Sequence, residues 1–196
     1  MKTSEQFYDR LTFLYPLIDL FLKPQKRKFF KTINTYPPGR LLEIGVGNGS
    51  HLKYYTAHKI TGIDTSEKML ARAMKRQTDR MALLQMNGEA LQFSDETFDY
   101  VVLSHVIAVV NDPEKLLAEA HRVLKPNGKV FILNHFTPNS WLRHIDIGFE
   151  KLSGLLHFKS VFHTTSVQKI RAFKLLRESD AGLFSYFKIL IYEKNI

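Results

Sequence analysis

The stretch Leu41 to Gly49, LLEIGVGNG, limits what this chain can become more than any other. Leu41–Gly45 is a short apolar run that reads as a buried strand, and glycines then recur at 45, 47 and 49. Glycines in a turn permit positive φ and let the backbone approach a ligand closely. A strand, a glycine turn and a helix in that order open a βαβ unit, whose ligand sits beyond the strand end. The spacing narrows the ligand. A dinucleotide site of the form G-x-G-x-x-G would place its third glycine at 50, where this chain has Ser50. Here the third glycine comes one residue early, and Glu43 precedes the first by two. Fifteen residues beyond Gly49, Asp64 ends a second strand in Gly62-Ile63-Asp64-Thr65-Ser66. A carboxylate at that place can accept both hydroxyls of a ribose diol. Ser66 is the better helix cap, which leaves Asp64 for a ligand.

Further runs repeat the pattern. Ile60–Asp64, Met81–Met86, Tyr100–His105 and Val130–His135 read as buried parallel strands. Between them, Ser66 caps a helix running to about Gln77, and Asp112-Pro113 starts one running to about Leu124. Pro126-Asn127-Gly128 then turns the chain into the next strand. Alternation of this kind predicts an α/β fold: a Rossmann-like, doubly wound sheet with helices on both faces. Phe173–Arg177 and Phe184–Glu193, joined by Ser-Asp-Ala-Gly, predict a closing hairpin at the sheet edge. That makes seven strands, mostly parallel, with an antiparallel edge strand. Residues 4–34 predict N-terminal amphipathic helices, 139–158 a helix after the fifth strand, and 165–172 a last crossover helix.

A length of 196 residues suits one domain, 1–196. It divides into an N-terminal helical lid or membrane-facing segment (1–39), a cofactor-binding core (40–135), and an acceptor-side helix with the edge hairpin (136–196). The absence of cysteine excludes disulfides and thiolate metal sites. The start MKTSEQFYDR lacks the basic-then-apolar pattern of a signal peptide, so the expected location is the cytoplasm. Net charge is +9, but residues 40–135 carry only +1 while 1–39 and 136–196 carry +4 each. Basic flanks on a neutral core suggest an anionic partner surface, nucleic acid or acidic lipid.

Taken together, these motifs make the chain similar to the class I S-adenosylmethionine-dependent methyltransferases, strongly over residues 36–136. The resemblance implies S-adenosyl-L-methionine as cofactor, S-adenosyl-L-homocysteine as its product, and no metal, since displacement at a sulfonium methyl needs none. It implies that Gly45, Val46, Gly47, Asn48 and Gly49 wrap the methionine part while Glu43 steadies the loop. Asp64 would hold the ribose, and Thr65 and Met69 would line the adenine. Asn87-Gly88-Glu89-Ala90-Leu91-Gln92-Phe93 resembles the family's D-A-x-x-L-P-F segment, with Asn87 at the aspartate position. An asparagine carbonyl can still accept from the adenine amino group. Phe98-Asp99 and Arg122-Val123-Leu124-Lys125-Pro126-Asn127-Gly128 also fit, with Asn127 where glycine is commoner.

The acceptor side is read from the carboxyl ends of the fourth and fifth strands: Ser104 and His105, then Asn134 and His135. An amine acceptor must shed a proton before attack, which calls for a nearby base. His105 is the first candidate and His135 the second. Tyr8 and Tyr15 can present rings to a sulfonium or a cationic amine, and Tyr15 and Ser104 can also touch the cofactor. The run Ser104-His105-Val106-Ile107-Ala108-Val109-Val110-Asn111-Asp112-Pro113, with Ile132–Phe136, Phe7–Arg10, Tyr15 and Asp19, is similar to soluble bacterial phosphatidylethanolamine N-methyltransferases. That resemblance implies a peripheral enzyme on the inner membrane face, methylating a lipid amine. Lys23, Lys26, Arg27, Lys28 and Lys31 around Leu20, Phe21, Leu22, Phe29 and Phe30 suit a lipid interface. Quinone-ring C-methyltransferases and other small-molecule enzymes share parts of these motifs. A non-catalytic or nucleic-acid-binding relative is the reading from another class. The place after the fourth strand lacks an N-P-P-Y motif, so no nucleic-acid partner is expected.

Overall fold

The computed structural model describes residues 15–135, 168–181 and 187–195, with backbone alone at 15–22, 135, 168 and 169. Seven strands form one sheet: β1 (Arg40–Ile44), β2 (Lys59–Asp64), β3 (Met81–Gln85), β4 (Phe98–Ser104), β5 (Leu124–His135), β6 (Phe173–Asp180) and β7 (Phe187–Lys194). Their spatial order is β3-β2-β1-β4-β5-β7-β6. The first five run parallel, and β7 lies antiparallel between β5 and β6. The expected edge hairpin is present, with its reversed strand one place in from the edge. Strand order reverses between β1 and β4, and ligands of doubly wound sheets bind at the carboxyl side of that point.

Alternation along β1 explains how both faces are covered. Leu41 joins one apolar layer with Phe29, Phe30 and Ile33 of α1 (Tyr15–Ile33) and Leu70 and Ala73 of α2 (Glu67–Met74). Leu42 and Ile44 join the opposite layer with Leu116, Leu117, Ala120 and Val123 of α3 (Pro113–Val123). Both caps are as expected: Ser66 Oγ accepts from Met69 N at 3.3 Å, and Asp112 Oδ1 accepts from Lys115 N at 3.1 Å.

Several boundaries differ for identifiable reasons. Helix α2 ends at Met74, because Arg76 N and Gln77 N bond back three residues to Ala73 and Met74 and tighten the last turn. Helix α3 gives way at Leu124, which already pairs with Phe98. Residues 125–128 then bulge out before Lys129 resumes pairing with Tyr100. Asn127 carries φ +62°, a left-handed conformation that asparagine tolerates and glycine adopts freely. Ser179 and Asp180 belong to β6 and not to the turn, since pairing with Ile189 and Lys188 continues until Ala181 N bonds Phe187 O at 2.7 Å. Residues 168–172 form a 3₁₀ turn where a longer crossover helix was expected. The 139–158 helix, like Tyr8, lies outside the described residues.

In α1, two of the three phenylalanines assigned to a lipid interface have another job. Phe29 and Phe30 are fully buried against the sheet, and Gln25 and Lys26 are buried too. Lys23, Arg27, Lys28 and Lys31 are exposed. The chain remains helical through Pro24.

At the other end of the sheet, His58 is buried before β2, with Nε2 3.4 Å from Ile33 O and its ring edge-on to Tyr100. Burial pushes its pKa below the ordinary 6.5, outweighing nearby carbonyls and Asp99. The neutral form is therefore favoured in the fold. Its contribution to stability is complete above about pH 6.5 and is lost as pH falls through the lowered folded value. Thermal melts across this range should show a falling midpoint below pH 6.5, and His58→Phe should flatten that limb.

Candidate functional site

At the carboxyl end of β1 the chain turns through Gly45, Gly47 and Gly49 with φ of +78°, +56° and +69°. Side chains rarely adopt such angles, and at Gly45 and Gly49 there is no room for them. A Cβ on Gly45 would lie 2.8 Å from Val106 Cγ2, and one on Gly49 would lie 2.9 Å from Ala73. The turn is closed by backbone bonds from Gly45 N and Val46 N to Ile63 O at 2.8 and 2.9 Å, and from Gly49 N to Val46 O. Asp64 completes it. Its Oδ2 accepts from Gly47 N at 2.7 Å and its Oδ1 accepts from Ser66 N at 2.9 Å. Burial raises the Asp64 pKa above its ordinary 3.8, and the amides of Ser66 and Gly47 oppose that rise. Each oxygen retains a lone pair for a hydroxyl.

Not every residue assigned to the loop can touch a ligand. Val46 is a core residue, with its side chain buried and both backbone polar groups engaged within the turn. It shapes the cradle from behind. Asn48 Oδ1 accepts from Ser50 N, and its carbonyl accepts from Arg76 Nη1. Glu43 is buried beneath the loop, where Oε2 accepts from Tyr55 OH at 3.0 Å and Oε1 lies 2.7 Å from His51 Nε2. Burial, with Glu43 alongside, drives the Tyr55 hydroxyl pKa well up, so it stays a donor.

Around the rim, Thr65 is exposed and Met69 is buried beside it at the start of α2. Asn87 Oδ1 accepts from Glu89 N at 2.9 Å, and Ala90 is exposed. Gly88 has no space for a side chain, since a Cβ would meet Ile44 Cγ2 at 2.5 Å. Glu89 has a strapping role: Oε1 accepts from Asn111 N and Asp112 N at 2.8 and 3.2 Å, tying this turn to the start of α3. The next residues are clamped by Arg122, which donates to the Leu91 and Phe93 carbonyls, to Asp95 and to both oxygens of Glu119. Glu119 in turn accepts from Leu91 N at 2.7 Å. The sequence marked Arg122 through its motif and gave no sign of this clamp. His51 and Tyr55 carried no signal at all.

Across the switch point, Ser104 ends β4 beside Leu133 of β5, and His105, expected within the strand, follows it. His105 has φ +58°, an uncommon conformation for a residue with a side chain. Its N–H donates to Leu133 O at 2.7 Å, and its ring meets Phe187 edge-on at 5.7 Å. Ser104 Oγ and both amide atoms of Asn134 are buried without hydrogen-bond partners among the described residues. Buried polar groups are normally satisfied, so partners for these atoms are to be sought beyond the described residues. Tyr15 begins α1 and His135 ends β5; of these two only the backbone is described. Among the described residues no cluster of His, Asp and Glu could hold a metal ion.

A family model described as a methyltransferase domain matches residues 42–132. The phosphatidylethanolamine N-methyltransferase of Cereibacter sphaeroides is 34% identical over 161 residues, covering 76% of this chain and 79% of that protein. This chain is a class I S-adenosylmethionine-dependent methyltransferase. The methyltransferase is also 30% identical over 150 residues to the demethylmenaquinone methyltransferase of Thermotoga maritima, covering 71% of its own length and 64% of the relative's. A solved Thermotoga maritima methyltransferase, described as a possible histamine N-methyltransferase, shares its fold with a TM-score of 0.75. The match covers 97% and 99% of the two chains at 24% identity.

A glycine turn bare of side chains and an Asp64 carboxyl group able to accept hydroxyls are compatible with S-adenosylmethionine. Asp64→Ala should weaken S-adenosylmethionine at least tenfold in calorimetry, about 1.4 kcal/mol or more, because a charged acceptor for the ribose is lost. Unchanged affinity would remove Asp64 from the site.

Proposed function

We propose that this methyltransferase transfers a methyl group to the amine of phosphatidylethanolamine, or of its methylated forms, at a membrane surface. The observation that carries this reading is the relationship to the Cereibacter sphaeroides enzyme, which extends over most of both chains. When bound, S-adenosylmethionine supplies an electrophilic methyl group on its sulfonium, poised for in-line displacement. Gly45, Gly47 and Gly49 cradle its methionine part, with Asn48 at the rim, and Asp64 accepts the ribose hydroxyls. Thr65, Met69 and the turn from Asn87 to Ala90 flank the adenine.

The acceptor then lies against the ends of β4 and β5. A lipid amine is protonated near neutral pH and carries no lone pair for attack until it loses that proton. The His105 imidazole takes it, with Ser104 and Asn134 offering buried polar atoms to the head group. His135 is a second candidate base. Tyr8 and Tyr15 are candidates to present aromatic rings to the sulfonium or the cationic amine. Exposed Lys23, Arg27, Lys28 and Lys31 on α1 face an anionic surface, where each basic side chain contributes about 1 kcal/mol. Because Phe29 and Phe30 belong to the core, attraction at this part of α1 is electrostatic rather than insertion. No described helix is long and apolar enough to cross a membrane.

The demethylmenaquinone relative favours a second reading, C-methylation of a quinone precursor. Labelled cofactor incubated with membrane-lipid extract separates the two. Label in a lipid amine supports the first reading, and label only in a neutral quinone fraction overturns it.

His105→Ala should reduce turnover by about 10²-fold or more while sparing cofactor affinity, the usual scale for a lost base. A fully active variant would remove His105 from the chemistry. Co-sedimentation with vesicles should rise with anionic lipid and fall with salt. Protein left in the supernatant with every vesicle would end the membrane reading.

A further inference from the structure

We infer that His51 is a positioning residue for the cofactor loop, acting through Glu43 and braced by Phe30 of α1. The inference rests on the reading that the Gly45–Gly49 turn holds S-adenosylmethionine.

Glu43 follows the alternation of β1 and points to the same face as Leu41, the face covered by α1. It is wholly buried, so its carboxylate depends on the groups placed around it. Both of those groups come from the segment that leaves the glycine turn. Tyr55 OH donates to Oε2 at 3.0 Å, and His51 Nε2 lies 2.7 Å from Oε1. Among the described residues neither Oε1 nor Nε2 makes a hydrogen bond of regular geometry, so what joins them is this close polar contact between two buried groups. The residue just before the turn is thereby joined to a residue just after it. With the ends of so short a loop fixed, the left-handed angles at Gly45, Gly47 and Gly49 have little room to relax. The turn reaches the ligand already shaped, and less binding free energy is lost in ordering it.

Phe30 stacks on the His51 ring, with centroids 4.8 Å apart and planes 10° apart, and meets Tyr55 edge-on at 4.8 Å and 77°. One fully buried side chain of α1 thus bears on both partners of Glu43. Coupling of this kind is reciprocal: if the docking of α1 favours the bound loop, cofactor binding favours the docking of α1 by the same factor.

Calorimetry with S-adenosylhomocysteine on the full chain tests this, with thermal melts alongside. His51→Phe keeps a ring against Phe30 and removes the nitrogen; it should weaken binding at least tenfold. His51→Gln restores a side-chain N–H at similar reach, and its affinity should return to within about threefold of the parent. A purely structural role for His51 would show both variants shifted alike. Equal affinity of His51→Phe and the parent, or equal loss in both variants, overturns the proposal. Should His51→Phe fail to fold, Tyr55→Phe removes the other donor to Glu43 and should weaken binding severalfold; unchanged affinity there counts against the network. Phe30→Leu should weaken binding, and its effect should be smaller in the His51→Phe background; strict additivity removes the brace. If the parent itself binds no S-adenosylhomocysteine, the cofactor reading fails instead.

Discussion

The contact on which the rest of this site depends is the 2.7 Å bond from Gly47 N to Asp64 Oδ2. It joins the turn after β1 to the end of β2, two strands that pair side by side. With Ser66 N on the other oxygen, one carboxylate sets the glycine turn and the entry to α2 together. Burial works against this arrangement by raising the Asp64 pKa, and the two amides oppose it. The result is a carboxyl group held in place by two backbone amides at the carboxyl end of β2. Moving Asp64 by one residue would send its side chain to the other face of β2 and dissolve the arrangement.

What the sequence revealed follows from how local each signal was. The parallel strands were legible because buried strands are short, apolar and bounded by turn residues. Ser66 and Asp112 were legible as caps because capping acts within three residues. Gly45, Gly47, Gly49 and Asp64 were legible because one backbone geometry requires them. Clamps that join distant segments left no such trace. Arg122 reaches the carbonyls of Leu91 and Phe93, about thirty residues away in the chain. His51 lies in a polar stretch and gives no sign of burial against Glu43 until the 3₁₀ turn of Leu52–Tyr54 folds it inward. Glu89 was legible as part of a cofactor segment, but its side chain straps that segment to Asn111 and Asp112 instead.

The N-terminal flank shows why composition alone misassigns a helix. Basic and aromatic residues mixed along Lys23–Lys31 fit a membrane-surface helix and equally fit a helix packed on a sheet. The structure divides them by angle around the axis. Phe29, Phe30 and Ile33 fill the core, while Lys23, Arg27, Lys28 and Lys31 stay exposed. Lys28 also donates to the carbonyl of Asp180 at the end of β6, linking this face to the closing hairpin. A lysine held to the fold is less available to an external anion than its neighbours are.

The same division gives α1 two roles that meet at Phe30. Its outer face carries the charge that a lipid surface would attract, and its inner face touches the support of the cofactor loop. A force that shifts α1 along or around its axis must move the Phe30 ring across His51, because packed side chains interdigitate and do not slide freely. Attraction at the outer face and cofactor retention at the inner face are then properties of one rigid element, α1. Binding of an acceptor held at a membrane and binding of a cofactor drawn from solution would in this way be coupled through α1.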